Sequence, residues 1–184
     1  MVEADEVIYR RYLAQHSDED FRIILERHKE SLVLFLLSYV HNMDDAEELM
    51  IDTFAEISAG ASFAGKSSFK TWLFSIGKNL ALMHLRQNKK KLLLDPLGED
   101  EFYDENISLE SDALKKELNR HIYEALGRIN DDYRKVLILL YFEEMSPEEI
   151  GHVMKKSRKQ IYNLIARSRN ALKEEMERMG YEYA

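Results

Sequence analysis

The sequence predicts an all-α protein with two small helical domains joined by an acidic linker, the C-terminal domain containing a helix-turn-helix. Three observations support this fold class. Only 7 Gly and 2 Pro occur in 184 residues, too few for the many tight turns of a β-rich fold. Apolar residues make up 45% of the chain and recur at three- and four-residue steps. The acidic segment 95–112 interrupts this pattern, so we expect domains at 1–94 and 113–184.

The N-terminal domain is predicted to contain three helices. Ser17 can cap the first of them, because its side-chain oxygen can accept a hydrogen bond from a free amide of the first turn. A second helix begins near Asp44, and Gly60 and Gly65 bracket the loop that follows it. A third, longer helix runs over residues 67–88, with its apolar residues on one side.

The acidic linker accounts for most of the net charge of the chain. The formal charge is −8, and residues 96–113 contribute −7 of it, with no basic residue among them. Residues 114–184, by contrast, carry +2. Because local patches decide where a polyanion docks, the negative total does not exclude a nucleic-acid partner.

The C-terminal domain is predicted to begin with two amphipathic helices, at 114–129 and 133–142, and to continue as a helix-turn-helix. The first helix of that motif starts at Ser146, with Pro147 at the first helical position and Glu149 at the third. This is a capping-box pattern, in which the serine oxygen and the glutamate carboxylate accept hydrogen bonds from amides that the helix leaves unpaired.

The second helix of the motif presents a basic outer face. Its start repeats the capping pattern only three residues after the first helix ends, so the two helices must cross steeply. The crossing leaves the outer face of the second helix free to enter a major groove. The residues predicted to contact a DNA duplex are Ser157, Arg158, Lys159, Gln160, Tyr162, Asn163 and Arg167. An ordinary helical hairpin with a solvated basic face is the alternative for this segment.

A long stretch without acidic residues covers the third predicted helix. Seven cations and no acid occur between Glu56 and Asp95, with Phe69, Trp72 and Phe74 interleaved near the start. Cations combined with aromatic faces are typical of proteins that bind single-stranded or melted nucleic acid, since unstacked bases lie on the rings. Each aromatic residue taken singly is more often part of a core, and we expect most of Trp72 to be buried.

Several function classes lack the residues they need. The absence of cysteine excludes disulfides, thiolate metal sites and cysteine nucleophiles, and it fits a cytoplasmic protein. The six His form no close pair of metal ligands, and no Gly-rich phosphate loop is found, so we expect no enzyme activity, metal or cofactor. The N-terminus lacks the apolar segment of a signal peptide, and no stretch is long enough for membrane insertion.

Three segments, taken in order, resemble the extracytoplasmic-function class of the sigma-70 family. Residues 44–54 (DDAEELMIDTF) resemble the helix of that family that binds core polymerase. Residues 67–86, with SSFKTWL and IGKNLA, resemble its promoter-melting and −10 recognition region. Residues 126–172 resemble the domain that reads the −35 element. The resemblance spans residues 20–92 and 114–175 in the order and spacing of the family.

The resemblance implies a sigma factor, which directs core RNA polymerase to promoter DNA. The core-polymerase-binding residues would be Asp44, Asp45, Glu47, Glu48, Asp52 and Phe54. The residues at the −10 element would be Lys66, Ser67, Phe69, Trp72, Lys78, Asn79, Arg86 and Lys89, with the 64–69 loop gripping a base. The basic face of the helix-turn-helix would read the −35 duplex. The linker would thread through the polymerase toward its active-site cleft, and an anti-sigma factor would be a further partner.

A stand-alone helix-turn-helix regulator is the alternative function. It would share the motif, but it gives no reason for the acid-free aromatic helix or for the acidic helix at 44–54. It would bind its duplex alone, whereas a sigma factor binds promoters well only together with core polymerase.

Overall fold

A computed structural model describes residues 2–94 and 117–181, so the predicted linker at 95–112 lies outside the described residues. The described chain is helical and contains no strand, which confirms the predicted fold class. The N-terminal half forms α1 (Asp5–Gln15), α2 (Asp18–Val40), α3 (Met43–Ser58) and α4 (Phe69–Leu94). The C-terminal half forms α5 (Glu117–Arg128), α6 (Asp131–Leu137) with a π-helical turn (Ile138–Phe142), α7 (Pro147–Met154) and α8 (Arg158–Arg178).

The helix starts follow the local capping chemistry. Ser17 accepts a hydrogen bond from the backbone N–H of Asp20 at 3.3 Å, which confirms the predicted start of α2. Asn42 caps α3 in the same way. Helix α1 is absent from the sequence prediction, because Ala4 at its N-cap has no side-chain acceptor and only two of its residues, Ile8 and Tyr9, are buried.

Helix α2 lies at the centre of the N-terminal half. It packs against α1, α3 and α4, and its Leu32, Phe35 and Leu36 are fully buried. Burying a side chain of this kind stabilises the fold by about 1.5–3 kcal/mol. A glycine allows α4 to approach closely, since a Cβ at Gly77 would lie 3.0 Å from Leu32 Cδ1 and 3.3 Å from Thr53 Oγ1.

The C-terminal half packs against the same central helix. Helix α2 contacts α6 and the π-helical turn, and α4 contacts α7. The ammonium group of Lys135 lies 3.8 Å from the centre of the Tyr39 ring, and His41 Nε2 lies 2.6 Å from Asp131 Oδ2. The two halves therefore pack against each other. Over residues 2–94 and 117–181, none of the helices is both long and apolar enough to cross a membrane.

A buried arginine fixes the end of α5. The Arg134 guanidinium is 2% exposed and donates to the backbone oxygens of Leu126, Gly127 and Ile129. The Leu126 and Gly127 carbonyls lie in the last turn of α5 and have no partner within the helix, so the side chain satisfies them and holds α6 against α5. It also pairs with Asp131 at 3.1 Å, which offsets the cost of burying the charge.

Candidate nucleic-acid and polymerase interfaces

The helix-turn-helix has the predicted capping geometry at both of its helices. Ser146 Oγ accepts from the Glu149 N–H at 3.2 Å, and Glu149 Oε2 accepts from the Ser146 N–H at 2.8 Å. Ser157 and Gln160 form the same reciprocal pair at 3.3 and 2.8 Å. Both predicted capping boxes are therefore confirmed, and the N-terminus of each helix is fixed.

The turn between the two helices is tight. Lys155 ends α7 in the left-handed region at φ 52°, a conformation that favours glycine. The N–H groups of Lys155 and Lys156 both donate to the Gly151 oxygen. A Cβ at Gly151 would lie 2.9 Å from the Lys156 oxygen, so this glycine allows the close passage of the turn.

The outer face of α8 is exposed as predicted from its pattern. Ile161 and Ile165 are buried beneath it. All seven residues predicted at the −35 duplex, from Ser157 to Arg167, are exposed. Arg158 pairs with Glu148 at 3.1 Å and lies 5.5 Å from the Tyr162 ring. Lys159, Asn163 and Arg167 have no hydrogen bond or ion pair to any described residue, so their side chains are available to a ligand.

The acidic residues of α3 lie mostly on its exposed side. Asp44, Glu47, Glu48 and Asp52 are exposed. Asp45 is half-buried and pairs with His84 at 3.1 Å. Two residues differ from the expected pattern. The predicted Phe54 is buried at 4% exposure, with its ring edge-on to another aromatic, Phe21. Ile51, which was not predicted, is 61% exposed among the acids.

Phe69 belongs to the core rather than to the loop surface. It is fully buried, and its ring centre lies 5.0 Å from that of Tyr9 and 5.7 Å from that of Trp72. Its backbone N–H donates to Glu6 of α1 at 2.7 Å, which satisfies a free amide at the start of α4. The prediction that Phe69 contacts DNA does not fit this burial. Trp72 is half-buried in the same aromatic cluster.

Lys78 also departs from the prediction, because α7 covers it. It is 7% exposed, and its ammonium group donates to the Val153 oxygen at 2.8 Å. Burial and the nearby charges of Lys155, Lys135 and Lys156 lower the pKa of Lys78. The other predicted −10 residues of this region that reach the solvent are Lys66, Ser67, Asn79, Arg86 and Lys89.

Helix α1 contacts the predicted −10 loop through Tyr9, a contact that the sequence pattern did not predict. The Tyr9 hydroxyl donates to the Ile57 oxygen at 3.0 Å and lies 3.2 Å from the Ala61 oxygen, at the entrance to the loop. Burial raises the pKa of Tyr9 to about 12, so the hydroxyl stays protonated and can donate. Its ring also packs on Phe63 within the loop. Across residues 2–94 and 117–181, no group of His, Asp and Glu converges on a point where a metal ion would bind.

Two family models match the chain, one in each half. The model of sigma-70 region 2 matches residues 24–91, and the model of sigma-70 region 4 matches residues 120–172. The RNA polymerase sigma factor YlaC of Bacillus subtilis is 28% identical over 159 residues, which cover 83% of this chain and 90% of that protein. The ECF RNA polymerase sigma factor SigM of the same organism is 26% identical over 151 residues, covering 82% and 91%.

Solved structures share the fold. The sigma factor RpoE of Bartonella quintana, in complex with the anti-sigma factor NepR, has a TM-score of 0.65 and 24% identity, covering 86% of this chain and 98% of that one. CnrH, in complex with the cytosolic domain of CnrY, has a TM-score of 0.57 and 22% identity, covering 92% and 95%. With both family regions matched in order, the chain belongs to the extracytoplasmic-function class of the sigma-70 family of RNA polymerase sigma factors.

Proposed function

We propose that this sigma factor directs core RNA polymerase to promoters by dividing three contacts among three surfaces. The exposed side of α3 binds the polymerase, the start of α4 with its preceding loop holds the opened −10 strand, and the outer face of α8 reads the −35 duplex. The observation that carries the proposal is the outer face of α8. Between Ser157 and Arg169 it presents four cations and no acid, on a helix whose start is fixed by a capping box.

The acidic side of α3 is the proposed polymerase contact. Asp44, Glu47, Glu48 and Asp52 are exposed and would face basic helices of the polymerase clamp. Ile51 adds an exposed apolar side chain to the same surface. Asp45 contributes less directly, because its carboxylate is already paired with His84. The buried Phe54 packs in the core beneath α3 and so helps to hold this helix in place.

The −10 contact uses the cations and the aromatic ring at the surface of α4. Lys66, Arg86 and Lys89 would track the backbone of the opened strand, while Asn79 and Ser67 offer hydrogen bonds. Trp72 is only half-buried, so we expect an unstacked base to lie against it. Phe69 supports this surface from the core.

The −35 contact uses the first two turns of α8. Arg158, Lys159 and Asn163 are exposed near its N-terminus, the part of a recognition helix that reaches base edges. Ser157 and Gln160 are held in the capping box at the start of α8, where they would lie close to a phosphate of the duplex. Tyr162 lies against Arg158, and Arg167 would reach the backbone further along the groove.

The domain boundaries and the linker complete the proposal. We assign residues 1–94 to the polymerase and −10 domain and 113–184 to the −35 domain, with 95–112 passing through the polymerase between them. An anti-sigma factor is a further proposed partner, since the related RpoE structure contains one. An apolar groove of about 640 Å³ between α5, the π-helical turn and α8 could take an apolar helix of such a partner, with Tyr141 and Leu172 in its wall and Arg169 at its rim.

The experiment is to combine the purified chain with bacterial core polymerase, select promoters from genomic DNA, and probe strand opening with permanganate. Core polymerase without the chain, and the chain without core, are the controls. The proposal requires co-purification with core and thymine reactivity near −10 only in the combined sample. Specific duplex binding by the chain alone, with no association with core, would favour the stand-alone regulator instead.

A further inference from the structure

The loop that joins α3 to α4, which carries residues proposed for the −10 strand, is held against α1. The loop covers residues 59–68. At the end of α3, the Tyr9 hydroxyl donates to the Ile57 oxygen at 3.0 Å. At the start of α4, the Glu6 carboxylate accepts from the Phe69 N–H at 2.7 Å. Both ends of the loop are therefore fixed to a single turn of α1.

The same face of α1 also brings an arginine to the loop. Glu6, Tyr9 and Arg10 lie on one side of the helix, because residues three and four positions apart are neighbours on a helix surface. A Cβ built at Gly65 would lie 3.9 Å from Arg10 Nη2. The Arg10 guanidinium therefore lies beside the middle of the loop, next to the residue that precedes Lys66.

Arg10 differs from two neighbouring arginines in having no carboxylate partner. Arg11 pairs with Asp20 at 2.5 Å, and Arg27 of α2 pairs with Asp5 at 2.6 Å. Arg10 is exposed, and it makes no hydrogen bond or ion pair to any residue that the structure describes. The donors of its guanidinium are therefore available to an anion, whereas Arg11 and Arg27 serve to hold α1 in place.

The part of the loop beside Arg10 suits a phosphate. Gly65 has no side chain, and its φ of 68° lies in the left-handed region that favours glycine. Ala64, Gly65 and Lys66 are exposed, and no acidic residue occurs within 59–68. A guanidinium presents its donors in a planar fork that matches the oxygens of a phosphate. Two cations thus border a position where a sugar–phosphate backbone can approach closely.

We propose that Arg10 is a further DNA-binding residue of the −10 site, and that its guanidinium binds one phosphate of the opened strand beside Gly65. The inference rests on the −10 role proposed above for the loop. It extends that role to α1, which precedes the region 2 match at residues 24–91. Because Tyr9 and Glu6 fix the loop to α1, hydrogen bonds set the distance between this phosphate and the base that the loop holds.

The test pairs the arginine with individual phosphates. Holoenzyme made from the full-length chain and core polymerase binds a selected promoter whose −10 region is already unpaired, and each phosphate of the opened strand is replaced in turn by a neutral methylphosphonate. One replacement should weaken wild-type binding about fivefold to tenfold, as expected for one charged hydrogen bond. Arg10→Ala should weaken binding to the unmodified template by a similar factor. The same methylphosphonate should then have little further effect, because the two groups act as a pair.

Two further variants separate this contact from a general loss of charge. Arg22→Ala is the matched control, because it removes the same charge from an exposed side chain of the same half, on α2. It should keep the wild-type pattern of phosphate effects. Arg10→Lys should recover part of the affinity, since it keeps the charge but loses the planar fork. In Arg10→Ala the slope of log affinity against log salt should fall by about 0.7, the value for one phosphate of a single strand.

The outcomes distinguish this inference from the proposed function. If Arg10→Ala responds to every methylphosphonate as wild type does, the phosphate contact is wrong while the sigma-factor function stands. If Arg10→Ala instead loses affinity for core and keeps the wild-type phosphate pattern, its guanidinium faces an acidic surface of the polymerase, which also overturns the DNA contact. If the wild-type chain neither binds core nor opens a promoter, the proposed function fails and the inference fails with it.

Discussion

His28 and Glu143 are separated by 115 positions in the chain, yet a 2.8 Å hydrogen bond joins the ring of one to the carboxylate of the other. Asp5 binds the second ring nitrogen at the same distance, so the ring lies between two carboxylates. Burial opposes a charge on the ring, but the hydrogen bonds to Asp5 and Glu143 outweigh it and raise the pKa of His28 to about 9. The imidazolium form therefore holds the two halves together at neutral pH.

The stability of the folded chain is expected to fall as the pH rises. The pKa of His28 is raised above its unfolded value near 6.5, so its contribution is complete below about pH 6.5 and is lost as the pH passes about 9. The difference amounts to about 3 kcal/mol in the free energy of unfolding. Urea unfolding of wild type and His28→Gln between about pH 6.5 and 9.5 measures it.

Asp5, the second carboxylate beside the ring, stays ionised over that range. Hydrogen bonds from His28 and Arg27 overcome burial and lower the pKa of Asp5, so it stays ionised. Arg27 pairs with Asp5, and the Lys70 ammonium group faces the Glu143 backbone. His28→Gln should show a flatter dependence than wild type. Parallel curves for the two proteins would mean that another group titrates.

Phe69→Ala is expected to destabilise the N-terminal half by about 3–5 kcal/mol, since it empties a fully buried aromatic site. A loss of promoter opening in this variant would therefore report unfolding as well as any effect at the −10 strand. Trp72→Leu keeps an apolar side chain at a half-buried site, so it should lower the melting temperature less than Phe69→Ala, while the loss of the ring should weaken permanganate reactivity. A wild-type melting temperature in Phe69→Ala would contradict the buried aromatic cluster.

Charge reversal on α3 is expected to weaken binding to core polymerase. Glu47→Lys and Glu48→Lys together change the charge of an exposed surface by four units without breaking an ion pair between described residues. We expect at least a tenfold loss of affinity at low salt, with a smaller loss at high salt because exposed charges are screened. Glu174→Lys on α8 is the control, since it is exposed on the other half. Equal affinities for all three proteins would remove the polymerase contact from α3.

The two exposed residues Lys159 and Asn163 should have different effects on promoter binding. Lys159→Ala is expected to weaken holoenzyme binding alike across −35 sequences and to reduce the salt dependence by about one phosphate contact. Asn163→Ala is expected to cost about 1–3 kcal/mol and to relax the preference at one base pair. Binding to a library of −35 variants at two salt concentrations distinguishes them. A relaxed preference in Lys159→Ala would assign base contact to the lysine instead.

Gly151→Ala is expected to disturb the helix-turn-helix. The added Cβ would lie 2.9 Å from the Lys156 backbone oxygen, which cannot move without shifting the start of α8. We expect a destabilisation of about 1–3 kcal/mol and weaker −35 binding, measured by thermal unfolding and by footprinting. Ala substituted at Gly60 provides a contrast, because a Cβ there meets nothing within 4 Å, although its φ of 86° adds some strain. Unaltered −35 protection in Gly151→Ala would show that the turn tolerates the displacement.

Helix starts were predictable because their chemistry is local. At Ser17, Ser146 and Ser157 the acceptor and the amide it binds are three residues apart, so the pattern is visible in the sequence itself. The basic face of α8 was predictable for the same reason, since its charges follow the helical period. The presence of helix α1 was not predictable in this way, because its key contact joins Tyr9 to Ile57, 48 positions away.

The burial of Lys78 and Glu143 had no local signal either. Lys78 lies in a basic helix beside other lysines, and only the approach of α7 distinguishes it from its exposed neighbours. Glu143 is followed by another glutamate that stays exposed, and the pair looks in the sequence like an ordinary solvated surface. The partners of these side chains belong to the other half of the chain, so their environment depends on how the halves meet.

The π-helical turn at the end of α6 sets the direction in which Glu143 points. Its N–H reaches back five residues to the Ile138 oxygen at 3.3 Å, so the turn holds one residue more than an α-helical turn. One residue corresponds to a rotation of about 100° around the helix axis. The extra residue thus rotates every side chain that follows it about the helix axis. Deleting one residue from the turn would keep the glutamate but turn its carboxylate away from α2. The contact between the two halves therefore depends on the angular register of a single turn as much as on the identity of its side chains.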